Sequence, residues 1–327
     1  HSFPTRRSSD LNVAIGVRAL YENQTGNNLV AVGDSALFNN NGSFGENTAV
    51  GSKALYSNTT GNGNTALGFR ALYSNSTGSA NVALGERALF YNSGGDENIA
   101  LGNRALYSNT TGTSNTASGW DALYYNSTGN YNTATGLRAL YSNSTGNDNT
   151  ASGLMALSLN TTGNSNTAAG RAALYSNTTG YSNVAVGPRA LFENLTGHNL
   201  VAVGDSALYN NTALGNTAIG SKSLYTNTTG SSNSALGDHS LYSNTSGLSN
   251  TAVGDDAMYN NSTGDYNAAL GRLSMNSNTT GNFNTTIGYS AGSLATTNAN
   301  CTFLGYNADN SGGTSRSNSM ALGNGSL

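Results

Sequence analysis

Asn64-Thr65-Ala66-Leu67-Gly68-Phe69-Arg70-Ala71-Leu72-Tyr73-Ser74-Asn75-Ser76-Thr77-Gly78-Ser79-Ala80 is followed at once by Asn81-Val82-Ala83-Leu84-Gly85, the same pattern begun again. Taking the Gly of the N-T-A-x-G segment as a marker, the chain carries 19 markers from Gly16 to Gly323. They are 17 residues apart, except for 18 between Gly33 and Gly51, 16 between Gly204 and Gly220, and 18 at the last step. A period held this closely over nearly the whole chain is the signature of a stacked repeat architecture.

Seventeen residues are too few for a helical hairpin, and N-T-T-G or N-S-T-G breaks any helix once per unit. Each unit therefore reads as strand and turn: a short strand at Asn64-Thr65-Ala66-Leu67, a second at Ala71-Leu72-Tyr73, and a turn at Asn75-Ser76-Thr77-Gly78. Gly tolerates positive φ, and Asn and Thr bond the local backbone in turns. The expected fold is all-β, a parallel β-roll or β-solenoid of about 17-residue coils. Two residues before the marker stands Ala in 17 of the 19 units, Thr286 and Phe303 being the exceptions, and one residue before it stands mostly Val, Leu or Ile. These neighbours point to opposite faces of one strand, so both faces are apolar. A thin coil has one narrow interior, and the surplus apolar face is expected to pack against other copies of the chain. Ser118, Thr135, Ser152 and Ala169 interrupt the aliphatic column in four successive units, a change read here as drift, with a polar layer fixing the register between chains as the lesser reading.

Composition removes several classes. The 327 residues include 42 Gly, 2 Pro, 1 Cys and 3 His, and 9% are charged, against about 25% in an ordinary soluble domain. Gly without a Gly-X-Y period and almost without Pro excludes collagen, and a net charge of −3 is no nucleic-acid footprint. No apolar run approaches the roughly 18 residues of a membrane helix. Cys301 alone forms neither an internal disulfide nor a zinc site. Residues 1–11 (HSFPTRRSSDL) resemble a translated sequencing adapter and are set aside. Regular repeats are expected over 12–288, and degenerate ones over 289–327, through Cys301-Thr302-Phe303 and Gly312-Gly313, leading toward a further C-terminal module absent from this chain.

Chemistry-bearing residues are sparse. The position two after the marker is basic in eight units, at Arg18, Lys53, Arg70, Arg87, Arg104, Arg138, Arg189 and Lys222. Lys53, Arg70, Arg87 and Arg104 come from consecutive coils and form a candidate stripe for anionic glycans, with Glu86 the acid beside them. The structural alternative, which the repetition favours, is a solvated rim whose long side chains cover apolar neighbours. Asn-x-Thr/Ser at Asn58, Asn75 and Asn109 spells a glycosylation acceptor, but turn chemistry explains the same letters. Asp255-Asp256 near Asp238 and His239 is the densest acidic cluster, read as an exposed edge, and His198 and His239 stand at non-equivalent positions. No catalytic, cofactor or metal residues are assigned.

Asn12-Val13-Ala14-Ile15-Gly16 and Asn183-Val184-Ala185-Val186-Gly187 resemble the S/N-x-A-I-G motif of the YadA-like head domain of trimeric autotransporter adhesins. The longer A-L-Y-S-N-T-T-G unit is similar to tail-fibre-like repeat proteins of Bacteroidetes-type bacteria and their phages. The resemblance covers Asn12 to Leu327, with a coil longer than a typical head repeat. It implies a left-handed roll, a homotrimer, and a non-enzymatic adhesive or fibre rod at the cell surface or on a virion. The partners implied are the chain itself and a glycan or protein receptor, with no nucleic acid, no membrane contact and no cofactor. A ligand-binding solenoid, ice-binding or polyanionic-glycan-binding, is the alternative. Against ice binding, the Thr three before the marker alternates with Val13, Ile99 and Val184, as an inward position would. A glycan-degrading enzyme would need carboxylates converging from neighbouring coils, and the acids here are scattered.

Overall fold

The computed structural model describes residues 11–41, 45–309 and 317–325, so residues 1–10 and Gly312-Gly313 lie outside the described residues. The fold is a parallel β-solenoid with coils of about 17 residues. It divides into two compact units, His1–Thr162 and Gly163–Leu327. Among the described residues, the first unit holds nine three-residue strands, from Val13–Ile15 to Thr150–Ser152, and the second ten, from Thr167–Ala169 to Met320–Leu322. Within each unit every strand pairs in parallel with the one a coil further on, equivalent residues in register. Thr65, Ala66 and Leu67 thus lie beside Val82, Ala83 and Leu84, and Thr217, Ala218 and Ile219 beside Ser234, Ala235 and Leu236. The short unit after Gly204 keeps this pairing, Val201 facing Thr217 across one residue fewer, so it is a local irregularity in a continuous ladder.

Among the described residues, only one strand forms per coil. The expected second strand at Ala71-Leu72-Tyr73 is instead a run of turns, in which Arg70 and Leu72 hold φ of +56° and +49°. The Ala71 N–H donates to the Gly68 carbonyl and the Asn75 N–H to the Leu72 carbonyl, both at 3.3 Å. These left-handed residues curl the chain, which is how so short a coil closes on itself. The turns still bond from coil to coil: the Leu72 N–H donates to the Ala88 carbonyl at 2.9 Å, and the Ser74 N–H to the Phe90 carbonyl at 3.0 Å. Backbone polarity is therefore satisfied without an extended conformation.

The curl also dictates residue choice. Among the described non-glycine residues with positive φ, none is Val, Ile or Thr, because a branched Cβ crowds the left-handed backbone. That is why the buried position four after the marker is Leu in coil after coil, or Met at Met258 and Met275, while the flat strand beside it uses Val, Ile and Thr freely. The marker Gly sits under a different constraint. At Gly85, φ is +139° and a Cβ would stand 2.5 Å from the carbonyl oxygen of Gly102 in the next coil.

The interior has an apolar half and a polar half. Ala66, Ala71 and Leu72 and their equivalents form the apolar half, fully buried. Opposite them run two columns of fully buried asparagines, Asn58-Asn75-Asn92 and Asn64-Asn81-Asn98, with their successors. The Asn75 amide donates to Asn58 Oδ1 at 2.8 Å and to the Gly78 carbonyl at 2.9 Å. The Gly78 carbonyl also accepts from Asn64 Nδ2 at 2.8 Å, so two asparagines of one coil clamp one carbonyl and close the ring. Asn81 donates its backbone N–H and its Nδ2 to Asn64 Oδ1, at 3.0 and 3.1 Å. A buried amide is tolerated when its donors and acceptors are engaged, as they are at Asn64, Asn75 and Asn81; Asn194 of the second unit is the departure, its Oδ1 having no hydrogen-bond partner among the described residues.

Exchanging Leu for Ile in a core ordinarily costs less than about 1.5 kcal/mol. Leu72→Ile should cost more, since it places a branched Cβ at φ +49°, whereas Ile219→Leu on the exposed strand face should be nearly neutral. Urea denaturation of the two variants checks this; equal shifts would contradict the account of the Leu column.

Candidate functional site

The strand alternates exposed, buried, exposed, as in Thr65-Ala66-Leu67. Ala points inward, and both flanking columns point out. Leu67 and Leu84 are each 44% exposed, and Leu236 and Leu270 are 47% and 50% exposed. This is the surplus apolar face expected from the pattern. The column three before the marker also lies outside, which corrects the inward reading of its Thr residues: Thr65, Thr133, Thr150 and Val184 are exposed. Val and Ile enter this column because a flat, half-covered strand suits any β-branched residue. Ser118, Thr135 and Ser152 stand on the same outer face, in register beside Thr116, Thr133 and Thr150.

A second surface is built on the turns. The aromatic position five after the marker forms a stacked ladder, Tyr56-Tyr73-Phe90-Tyr107-Tyr124-Tyr141, with ring centroids 4.9 to 5.3 Å apart. Tyr175-Phe192-Tyr209-Tyr225-Tyr242-Tyr259 repeats it in the second unit. Burial pushes the Tyr107, Tyr124 and Tyr141 phenols above their ordinary value, so they remain neutral O–H groups at physiological pH.

Beside this ladder lies the basic column. The backbone N–H groups of Arg70, Arg87 and Arg104 donate to Ser52, Phe69 and Glu86 one coil back, at 2.9 to 3.0 Å, so the four stripe residues Lys53, Arg70, Arg87 and Arg104 stand in one row. The guanidinium of Arg70 lies 4.9 Å from the Phe69 ring centre and 5.7 Å from that of Tyr73, and Arg104 lies 5.3 Å from that of Tyr124. Arg87 has Glu86 at 3.8 Å. The structure adds an acid that the sequence reading left out. Asp121 occupies the same column as the basic residues, one coil past Arg104, and its side chain is 2% exposed between Arg104 at 2.9 Å and Arg138 at 3.8 Å. Repeat position alone foretold its place; its burial came from packing against two arginines.

The asparagines of the glycosylation triplets are buried with their amide nitrogens engaged, which removes them as acceptors. Among the described residues no group of three or more His, Cys, Asp or Glu is placed to hold a metal ion. His198 stacks on Tyr181 at 4.3 Å and lines an open recess with Leu214, Gly215 and Thr229, where the short unit omits a residue. His239 lies elsewhere, its Nδ1 2.9 Å from Asp238 Oδ2, and Arg272 holds Asp255 at 3.0 Å. Asp256, read as part of an exposed edge, is half-buried; burial and then the Asp255 charge push its carboxyl above the usual carboxylate range.

By fold the chain is a parallel β-solenoid repeat protein, with an apolar strand face and an aromatic–cationic turn surface. No protein-family model and no curated protein matches it.

A carboxyl whose pKa is raised by folding contributes stability below its unfolded value and loses it as pH rises through the folded value. Asp256→Asn should therefore raise the melting temperature at neutral pH, and the gain should vanish near pH 3. Thermal melts across that range check it; no gain at pH 7 would count against the burial of this group.

Proposed function

We propose that the chain is a segment of a non-enzymatic structural and adhesive rod, displayed on a bacterial surface or in a phage-type fibre, in which three copies pack side by side. The observation that carries this reading is the exposed aliphatic column Leu67-Leu84-Leu101 of the first unit, with Ile219, Leu236 and Leu270 exposed at the same repeat position within the second. A contiguous apolar strip of this kind is normally covered by a partner surface. A face that recurs coil after coil suits copies of itself, and closed rotational symmetry is the usual way such copies assemble. The resemblance to trimeric adhesin heads supports three copies over two.

Light scattering should return three chains, and the triple variant Leu67→Glu/Leu84→Glu/Leu101→Glu should return one, with its melting temperature little changed. A stable, soluble monomer of the unaltered chain would overturn the assembly.

A second reading draws on the outward Thr column. Thr116, Thr133 and Thr150, with Ser118, Thr135 and Ser152 beside them, present two rows of hydroxyls at coil spacing, a lattice that can order water as an ice-binding surface does. Thermal hysteresis of the full chain, lost in Thr133→Tyr, would favour it; its absence in the unaltered chain would dismiss it.

A further inference from the structure

Four arginines of the first unit, Arg70, Arg87, Arg104 and Arg138, stand at one repeat position, and between Arg104 and Arg138 the row is occupied by Asp121. All five hold φ between +54° and +57°. Each is tied by its backbone N–H to the preceding coil, so the side chains leave the surface at the same angle, one per coil. Two carboxylates accompany them. Glu86 reaches Arg87 at 3.8 Å, and buried Asp121 is shared by Arg104 and Arg138. Four guanidiniums against two carboxylates leave two positive charges on this strip, in a chain whose net charge is −3. Asp96 and Glu97 are engaged on a separate turn, where Asp96 accepts from the Ser79 N–H and Glu97 from the Ser114 hydroxyl.

Exposed aromatic rings border the same strip. Phe69 and Trp120 follow the marker Gly directly and are 41% and 59% exposed, and Tyr91 and Tyr125, at 48% and 50%, pack edge-on against the stacked ladder. Trp120 is the single tryptophan of the chain, and the Arg138 N–H donates to its carbonyl at 3.0 Å. Arg, Tyr and Trp are the residues that dominate binding energy at recognition surfaces. Here their backbones are fixed by the coil stacking, and Arg70, Arg104 and Arg138 also lie against aromatic rings, so less conformational freedom remains to be lost on binding.

We propose that this strip is a binding site for a linear acidic polysaccharide, lying along the row with its carboxylates or sulfates on the arginines and its sugar faces against Trp120 and Phe69. The proposal rests on the adhesive-rod reading and supplies its ligand class. Guanidinium groups take carboxylate and sulfate oxygens through paired N–H donors, and the C–H faces of sugar rings stack on exposed aromatic rings. Charge density selects the class. The row offers at most one cation per coil, about every 4.8 Å, and half of these are neutralised. Duplex nucleic acid presents a charge about every 1.7 Å, far denser than this row can match. A chain with one anionic group every sugar or two matches it.

Calorimetry of the full chain with polyuronate oligosaccharides tests the proposal, with the neutral polymer of the same backbone and a single-stranded oligonucleotide as the other arms. Binding should be confined to the polyuronate, weaken with added salt, and fall by about tenfold or more in each of Arg70→Gln, Arg138→Gln and Trp120→Ala. The Arg70→Gln and Trp120→Ala variants should melt as the unaltered chain does, whereas Arg138→Gln, which withdraws one of the two partners of buried Asp121, should melt lower. The variant Leu67→Glu/Leu84→Glu/Leu101→Glu should still bind if only the assembly is wrong. No binding of the acidic oligosaccharide, equal binding of the oligonucleotide or of the neutral polymer, or undiminished binding by Trp120→Ala would overturn the site.

Discussion

An asparagine side chain carries two N–H donors and a carbonyl acceptor on one plane, and this solenoid depends on that plane recurring at the spacing of a β-ladder. Asn58, Asn75, Asn92 and Asn109 hand a hydrogen bond from coil to coil at 2.7 to 2.8 Å while each also binds the glycine carbonyl three residues on. A coil shifted by one residue breaks both bonds at once, inside an interior where an orphaned amide costs about 1 to 3 kcal/mol. The period is thereby enforced from within. The short unit shows what a missing residue costs: Asn211 still accepts from Asn216 and Asn227 at 3.0 and 2.7 Å, but its own Nδ2 turns to the Ala213 carbonyl at 2.9 Å, and the buried Oδ1 of Asn194, one coil back, is left without a hydrogen-bond partner among the described residues.

Where the pattern decays after Gly288, the interior is repacked and the coil persists. Gly292 stands where the buried Leu belongs, and Phe303 stands where the strand Ala belongs. The two changes fit each other, because a Cβ on Gly292 would lie 2.8 Å from the Phe303 ring. Thr286, the other exception in the Ala column, has its hydroxyl 2.6 Å from that of Ser274. Cys301 takes the place of an asparagine, its backbone N–H donating to Asn284 Oδ1 at 2.9 Å while its own side chain stays buried. Interior volume is thus kept while the letters change.

Much of this was legible in the sequence. The marker spacing gave the architecture and the coil length, and the apolar columns on both faces of the strand gave the surplus apolar surface, while which of those faces is interior came from the structure. Two features were read wrongly for one physical reason, that backbone conformation was inferred from residue type alone. Ala71-Leu72-Tyr73 has strand composition but left-handed geometry; the legible signal was the avoidance of Val and Ile at the Leu column. The Thr column was taken as inward because it admits Val and Ile, although an open strand face admits them as well. Burial of the asparagines was hidden by their fitness for turns, since the same N-x-T letters serve a surface turn and an interior ladder. In the basic row the arginines were legible from the period, whereas the ion pairs of Asp121 and the stacking of guanidiniums on rings belong to tertiary packing.

Coil-to-coil pairing also bears on how such a chain changes length over generations. Among the regular coils of a unit, each meets its two neighbours through the same register, the same amide bonds and the same glycine contact. Removing or copying one period leaves flanking surfaces that still match. Unequal recombination between neighbouring repeats in the gene would therefore lengthen or shorten the protein by whole coils with no new interface to evolve. Diversity of the outward-facing residues can accumulate on a scaffold whose interior stays constant.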